Sequence, residues 1–271
     1  MEEACPICYG KMQLVFKSTV LCRHEAMFDS CPSCGFLRVR NPHWLDEAYS
    51  NAIASTDTGL VMRNIGIARK LAVLFYIVMG GRGGDRYLDA AGGYGMLTRL
   101  MRDYGFDFYW ADKYCDNLMA RGFEFNRDSG FCNAVTAFEV MEHLENPGQF
   151  VIEALLQAKS DTFIFSTELF EGAPPSVEHW WYYSLETGQH IAFFQRKTLE
   201  ILAKKLGMRF FSANGLHMFT KRNISPLLFR LCVGRASSVM EPLVRKLLKS
   251  RLILDNQLMI NKLRNGQEVI R

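Results

Sequence analysis

The chain has 271 residues, of which 49% are hydrophobic and 22% are charged. This balance excludes a disordered chain and leaves room for one core with one or two small appendages. No apolar run approaches the roughly 18 to 20 residues that span a bilayer, and the first residues lack the pattern of a signal peptide. We therefore expect a cytoplasmic protein, in which the eight cysteines are thiols or metal ligands, not disulfides.

Two Cys-x-x-Cys pairs near the start of the chain predict a zinc ribbon over residues 1–40. Each pair places two thiolates on one tight turn, and two such turns complete a tetrahedral site. Four thiolates leave no open coordination position, so the site is predicted to be structural. The expected ligands are Cys5, Cys8, Cys31 and Cys34. An alternative set replaces the second pair with Cys22 and His24.

The composition changes between residues 41 and 84, which we interpret as a helical linker. Asn41-Pro42 ends the ribbon, and the apolar spacing predicts helices over Leu45–Ala52 and Arg63–Met79. Glycines dominate residues 80–84, so this segment is predicted to be a flexible connector. A domain boundary is expected before residue 85.

An apolar strand that ends at Asp89 is followed by the glycine turn Ala90-Ala-Gly-Gly-Tyr-Gly95 and then by a helix over residues 97–104. Such a turn lets backbone N–H groups and the helix dipole face a ligand at close range. A second strand over residues 106–111 ends at Asp112, which lies 23 residues after Asp89. This spacing is typical of a carboxylate that reaches the ribose hydroxyls of a bound nucleoside.

Strands and helices continue to alternate after the second acid. The pattern predicts a buried strand over Asn133–Phe138, a helix over Gln149–Ala158 and a buried strand over Thr162–Thr167. Alternation of this kind indicates a parallel sheet that is covered on both faces. Ligands of such sheets bind beyond the carboxyl ends of the strands, which places residues 89–95, 112 and 138–143 along one rim.

Together these segments resemble the class I methyltransferases that use S-adenosylmethionine (SAM). The glycine turn, Asp112 and Val140-Met-Glu-His-Leu144 with Pro147 correspond to motifs of that family. Ala91 stands where the first glycine is usual, and Cys132-Asn133 replaces the usual Phe-Asp. The resemblance implies an α/β, Rossmann-like, mostly parallel core over residues 85–220. It also implies that SAM contacts Asp89, Ala91, Gly92, Gly93, Gly95, Asp112, Lys113, Phe138 and His143. The third strand of the family, expected near residues 123–125, is hard to find.

The cysteine motif, Asn41-Pro42 and Tyr49 are similar to the zinc ribbon of bacterial sugar-type methyltransferases, some of which methylate carbon atoms of nucleotide deoxysugars. Residues 189–199 resemble a late Glu-His-containing segment of the same group, with Gln189 in place of the glutamate and Gln195 in place of a serine. This second resemblance spans roughly residues 5–220. It implies a sugar, nucleotide-sugar or glycan acceptor.

His190 is the predicted general base, since an imidazole titrates near neutral pH. A carbon acceptor would favour a Glu–His pair, so the loss of the acid at Gln189 favours O-methylation over C-methylation. Glu178 and His179 open an aromatic segment that we interpret as a lid, and both are further catalytic candidates. Two alternatives stay open: a structural role for His190, and an aromatic segment that packs into the core.

Residues 221–271 carry 11 Lys or Arg against 3 acids, whereas the rest of the chain is net acidic. Segments 225–232 and 240–254 are apolar on one side and basic on the other, so a helical basic C-terminal tail is predicted. Such helices pack on a core, form a homodimer or lie on a membrane surface. Packing or dimerisation is the favoured interpretation, with peripheral membrane association as the alternative.

Two other functional classes fit parts of the sequence. An RNA methyltransferase could bind nucleic acid through the ribbon. Residues 1–40, however, carry nearly equal numbers of basic and acidic groups. Nucleic acid is therefore an unfavoured partner. A non-catalytic SAM-binding protein would keep Asp89 and Asp112 without methylating anything.

Overall fold

A computed structural model describes residues 4–49, 56–81, 85–126 and 130–266. An N-terminal antiparallel sheet is formed by β1 (Gln13–Val20), β2 (His24–Ser30) and β3 (Leu37–Arg40). Two helices follow, α1 (Leu45–Ala48) and α2 (Leu60–Val78). Residues 50–52 of the first predicted helix and residues 82–84 of the predicted connector lie outside the described residues.

The central region alternates strands and helices as predicted. Its elements are β4 (Arg86–Asp89), α3 (Met96–Tyr104), β5 (Asp107–Trp110), β6 (Ala134–Ala137), α4 (Pro147–Ala158), β7 (Thr162–Ser166), β8 (Ala192–Phe193), α5 (Arg196–Lys205), β9 (Arg209–Ala213) and β10 (Leu216–Thr220). The tail contains α6 (Pro226–Val233), α7 (Ser237–Leu247) and α8 (Leu252–Arg264).

The main sheet has six strands in the order β5-β4-β6-β7-β10-β9. Strands β5, β4, β6 and β7 are parallel, and β10 runs antiparallel to both β7 and β9. Every residue of β6 and β7 is buried, as their apolar sequences predict. This architecture confirms the predicted α/β fold with a mostly parallel, Rossmann-like sheet.

One strand of the central region completes the N-terminal sheet. Strand β8 pairs with β3 through Leu37 opposite Phe193, which gives the strand order β1-β2-β3-β8. The hydroxyl of Thr198 at the start of α5 also donates a 2.8 Å hydrogen bond to the carbonyl oxygen of Cys34. The cysteine motif therefore packs directly on the central region.

The third strand expected near residues 123–125 is present only as a single parallel bridge between Trp110 and Glu124, at the outer edge of β5. The Trp110 N–H donates to the carbonyl oxygen of Phe123, and the Phe125 N–H donates to that of Trp110. Only this short contact forms among the described residues of the segment, which explains why the sequence carries no clear strand pattern there.

The predicted apolar and basic stretch over residues 240–254 is two helices, α7 and α8, with a break at residues 248–251. At this break the chain passes over Gly105, where an added β-carbon would lie 2.4 Å from the carbonyl oxygen of Lys249. The N–H of Arg251 donates to the carbonyl oxygen of Arg102 in α3. This contact with the core ends the first helix and sets the start of the second. None of the described helices is long and apolar enough to span a bilayer.

Candidate active site

The glycine turn lies between β4 and α3, at the carboxyl edge of the parallel strands. Gly93 and Gly95 both adopt positive φ angles, of 51° and 85°, which side-chain-bearing residues rarely adopt. Asp89, which is 2% exposed, accepts hydrogen bonds from the hydroxyls of Thr136 (2.9 Å) and Thr98 (3.4 Å). Burial raises the pKa of Asp89 to about 7, against the lowering effect of the hydroxyl of Thr136. Asp89 thus ties the turn to β6 and α3.

The backbone of the turn is shaped to receive a ligand. A methyl group added at Gly93 would meet no atom within 4 Å, so the main chain there faces open space. At Gly92, by contrast, an added β-carbon would lie 2.5 Å from the ring of Trp110, whose Nε1 donates to the carbonyl oxygen of Gly93 (2.8 Å). One side of the turn is therefore packed, while the other is open.

Asp112 follows β5 on the same rim. Its Oδ2 accepts the N–H of Gly93 (2.9 Å), and its Oδ1 accepts the N–H groups of Tyr114 (2.7 Å) and Cys115 (2.9 Å). Since each carboxylate oxygen has two lone pairs, Oδ2 keeps one for a further donor such as a ribose hydroxyl. The open backbone at Gly93 and this remaining acceptor fit a nucleoside cofactor. The neighbouring side chain of Lys113 is exposed, and its Nζ lies 5.2 Å from the centre of the Tyr114 ring.

A short 3-10 helix, Met141–His143, follows β6 and turns two polar side chains inward. The Nδ1 of His143 lies 3.1 Å from the carbonyl oxygen of Gln189 and 2.9 Å from the hydroxyl of Tyr49. A carbonyl oxygen only accepts hydrogen bonds, so Nδ1 carries the proton and Nε2 carries the lone pair. Burial lowers the pKa of His143 to about 3, which keeps the ring neutral.

His190 lies beside this short helix, although the two histidines belong to distant segments of the chain. Its ring makes an edge contact with that of His143, with the ring centres 4.8 Å apart. Its Nδ1 lies 2.7 Å from the carbonyl oxygen of Tyr182. The structure therefore brings the predicted general base to the same rim as the glycine turn and Asp112.

The hydrogen bond to Tyr182 also determines the tautomer of His190. Because the carbonyl oxygen of Tyr182 accepts, Nδ1 carries the proton and Nε2 has a free lone pair. Burial lowers the pKa of His190, so the ring is neutral near pH 7. A neutral imidazole with an unoccupied Nε2 can accept a proton.

Glu142 is the third member of this cluster. It is fully buried, and neither of its carboxylate oxygens accepts a well-oriented hydrogen bond from the described residues. One ligand atom from each of Glu142, His143 and His190 lies within 4.8 Å of the other two. Burial raises the pKa of Glu142 to about 8, so this carboxyl group holds a proton at neutral pH. An acid therefore does stand beside His190, although Gln189 replaces the expected glutamate.

Several polar residues around this cluster were not predicted as site residues. Glu139, at a positive φ of 56°, accepts a 2.5 Å hydrogen bond from the hydroxyl of Ser166 and lies 3.7 Å from Arg63 in α2. Tyr49 reaches His143 from the N-terminal region. The sequence signal for Tyr49 is weak because a distant segment supplies it. The positive φ of Glu139 leaves no mark in the sequence.

The structure separates the other predicted site residues. Glu178 and His179 are exposed, and no described hydrogen bond or ring contact joins their side chains to His190. Phe138 is partly buried and packs against the core. The aromatic segment is divided, since Tyr182 and Tyr183 are buried while Trp181 is 78% exposed.

The four predicted cysteine ligands come together. The Sγ atoms of Cys5 and Cys34 are 3.6 Å apart, those of Cys8 and Cys31 are 3.4 Å apart, and all four lie within 4.8 Å of one another. Zn–S bonds of about 2.3 Å in a tetrahedron require separations of about 3.8 Å. The geometry therefore fits one zinc ion. The alternative ligands are elsewhere: Cys22 is exposed, and Nε2 of His24 lies 3.1 Å from Glu47.

A parallel sheet with a glycine turn and two acids on one rim defines a nucleoside-cofactor enzyme of the α/β class. A family model described as "Methyltransferase domain" matches residues 65–212, more than half of the chain, and the chain belongs to this family. That membership confirms the predicted enzyme class, a methyltransferase. A comparison with curated proteins finds no match.

Solved structures give distant similarities. TnmH is 16% identical, with a TM-score of 0.44, over 66% of this chain and 60% of its own. Magnesium protoporphyrin IX methyltransferase from Synechocystis PCC 6803, with bound SAH, is 14% identical, with a TM-score of 0.41, over 65% of this chain and 91% of its own. The plantazolicin methyltransferase BpumL, in complex with SAH, is 10% identical, with a TM-score of 0.45, over 65% of this chain and 90% of its own. This chain thus spans less than two thirds of TnmH.

Proposed function

We propose that this chain transfers a methyl group from SAM to a hydroxyl oxygen of a sugar, nucleotide sugar or glycan end. The observation that carries the proposal is that the Nδ1–H of His190 is held by the carbonyl oxygen of Tyr182, while no hydrogen bond among the described residues engages its Nε2. SAM supplies an electrophilic methyl group on a sulfonium. The open backbone at Gly93 and the remaining acceptor on Asp112 would hold it.

Two residues of the cluster, His190 and Glu142, have different roles in proton removal. His190 takes the proton of the acceptor hydroxyl at Nε2 as the new C–O bond forms and the C–S bond breaks, which leaves a neutral thioether. Protonation makes the ring cationic, and an ionised Glu142, formed when its own proton passes to solvent, would pair with that charge. A single base suffices for an oxygen acceptor, which supports O-methylation. The ring of Tyr182 contacts the base, and the exposed ring of Trp181, which contacts Tyr182, suits stacking against a sugar ring.

The cysteine cluster is proposed to hold one structural Zn²⁺ through Cys5, Cys8, Cys31 and Cys34. When bound, the ion cross-links two turns that precede β1 and β3. Because four thiolates fill its coordination, it takes no part in methyl transfer.

The test is a screen of nucleotide sugars with SAM, with SAH release and the mass of the product as readouts. His190→Ala is expected to lose about 100-fold or more in turnover while it still binds SAM in calorimetry. His43→Ala, a substitution of an exposed histidine, is the matched control. Full turnover in His190→Ala would contradict the assignment of the base, and absence of SAM binding in the unaltered protein would contradict the function itself.

A further inference from the structure

The C-terminal helices expose an unusual amount of apolar surface. Six side chains of α7 and α8 are each at least 59% exposed, and we call them the tail apolar surface: Val239, Leu243, Leu247, Leu252, Ile253 and Leu263. Isolated exposed leucines are ordinary, but a concentration of this kind in two consecutive helices indicates a binding surface.

The exposed apolar side chains of α7 form one stripe along the helix. Val239, Leu243 and Leu247 are spaced by four residues, so they lie on the same side of the helix. Val244, which lies beside this stripe around the helix, is buried. The helix is therefore anchored by one side and leaves an apolar stripe on another.

Helix α8 is oriented opposite to a normal surface helix. Its one buried residue is Asp255, whereas Leu252, Ile253 and Leu263 face outward. The carboxylate of Asp255 accepts hydrogen bonds from Arg102 (2.7 and 2.8 Å) and Arg99 (2.8 Å). A helix that served only to cover the core would bury its apolar side chains and expose its acid. Ion pairs hold this helix with its apolar residues outward.

Charge identifies the occupant of this surface. Residues 221–271 carry 11 basic groups against 3 acids, a net charge of +8, and Arg235, Lys246, Lys249 and Arg264 are all exposed. A symmetric contact between two copies would bring the same basic side chains together, which opposes dimerisation. Apolar side chains interspersed with basic ones match the interface of an anionic bilayer. No described helix is a candidate to cross the membrane, so the helices would lie in its plane.

We propose that α7 and α8 dock this protein on the surface of an anionic membrane, with the tail apolar surface inserted among the lipids. This inference is independent of the methyl-transfer proposal, because none of its residues belongs to the glycine turn or to the His190 cluster. The docking would place the enzyme where membrane-bound acceptors are found.

The experiment is flotation of the full chain with vesicles of phosphatidylglycerol and phosphatidylcholine in equal parts, against vesicles of phosphatidylcholine alone. Binding is expected only with the anionic vesicles and is expected to weaken at high salt. Leu243→Glu with Ile253→Glu should weaken binding about tenfold or more, and Lys246→Glu with Lys249→Glu, which reverses two charges, about thirtyfold or more. Matched controls are Leu156→Glu, at a leucine of α4 that is 72% exposed, and Lys197→Glu with Lys204→Glu on α5.

Equal binding to both vesicle types, or equal losses in the control variants, would overturn the proposal. So would a salt-stable dimer that the Leu243 and Ile253 substitutions dissociate, since the surface would then belong to a second copy. Unchanged melting temperatures of the variants would show that the losses reflect binding and not unfolding.

Discussion

The guanidinium group of Arg102 donates two hydrogen bonds to the carboxylate of Asp255, across 153 residues of chain. Arg102 is 1% exposed and Asp255 is 3% exposed, so both charges are shielded from water. Arg102 also donates to the carbonyl oxygen of Phe108 (2.7 Å) and to Asp107 (2.9 Å). This network joins the tail to α3 and, through Asp107, to the sheet.

Asp255→Ala is therefore expected to lower the free energy of unfolding by about 3 to 5 kcal/mol, because it leaves Arg102 buried without its main partner. Urea unfolding measures the change. The double variant Arg102→Leu with Asp255→Leu should cost less than the sum of its two single variants, since it removes both charges together. Additive losses, within about 0.5 kcal/mol, would mean that the two residues do not act as a pair.

Stability should depend on pH through Glu142. Burial raises its pKa to about 8 from an ordinary value of 4.5, so the folded state binds a proton that the unfolded state has released. The free energy of unfolding then falls as pH rises from about 4.5 to about 8, by up to 1.4 kcal/mol per pH unit. Glu142→Gln removes this slope and should gain stability over the unaltered protein as pH rises through that window. Glu171→Gln, at an exposed carboxylate, is the control and should change nothing.

Alanine substitutions at three glycines with positive φ angles distinguish a loss of cofactor binding from a loss of stability. Gly93→Ala adds a methyl group in open space within the turn and should weaken SAM binding, with a stability loss of about 1 to 2 kcal/mol from the backbone alone. Gly172→Ala, also in open space but outside the turn, should show the same stability loss and normal SAM binding. Calorimetric titration with SAM distinguishes them. Gly95→Ala should be the least stable of the three, because its β-carbon would lie 2.6 Å from Asn117.

Metal content tests the cysteine cluster. The purified protein should contain one Zn²⁺ per chain by elemental analysis, and Cys34→Ser should lose it and melt at a lower temperature. Cys22→Ser should keep the metal, because Cys22 is exposed and does not belong to the cluster. Loss of zinc in Cys22→Ser with retention in Cys34→Ser would favour the alternative ligand set.

Local patterns predict most of the regular structure. The helix predicted over Arg63–Met79 is Leu60–Val78, and the strand predicted over Thr162–Thr167 is Thr162–Ser166. Both have strong apolar periodicity within one segment. The break between α7 and α8 has no such local signal, because it depends on contact with Gly105, which lies far away in sequence.

Only the part of the candidate site that lies within a single sequence motif could be predicted from the sequence. The glycine turn and Asp112 lie within a single strand–helix–strand unit, so their spacing is informative. The cluster of Glu142, His143 and His190 combines two segments, and spacing says nothing about how those segments meet. Gln189 replaces the expected glutamate, and the carboxyl group beside His190 comes instead from Glu142 in the other segment. Only the tertiary structure reveals this.

The pairing of β8 with β3 has a consequence for synthesis on the ribosome. The four cysteines and strands β1 to β3 emerge before the central region, and the outer edge of β3 has no partner until Ala192–Phe193 have been translated. At typical translation speeds this delay is about 8 to 30 s. During that interval an unpaired strand edge is open to wrong partners. Early capture of a metal ion by the cysteines would hold the nascent sheet in shape until its last strand arrives.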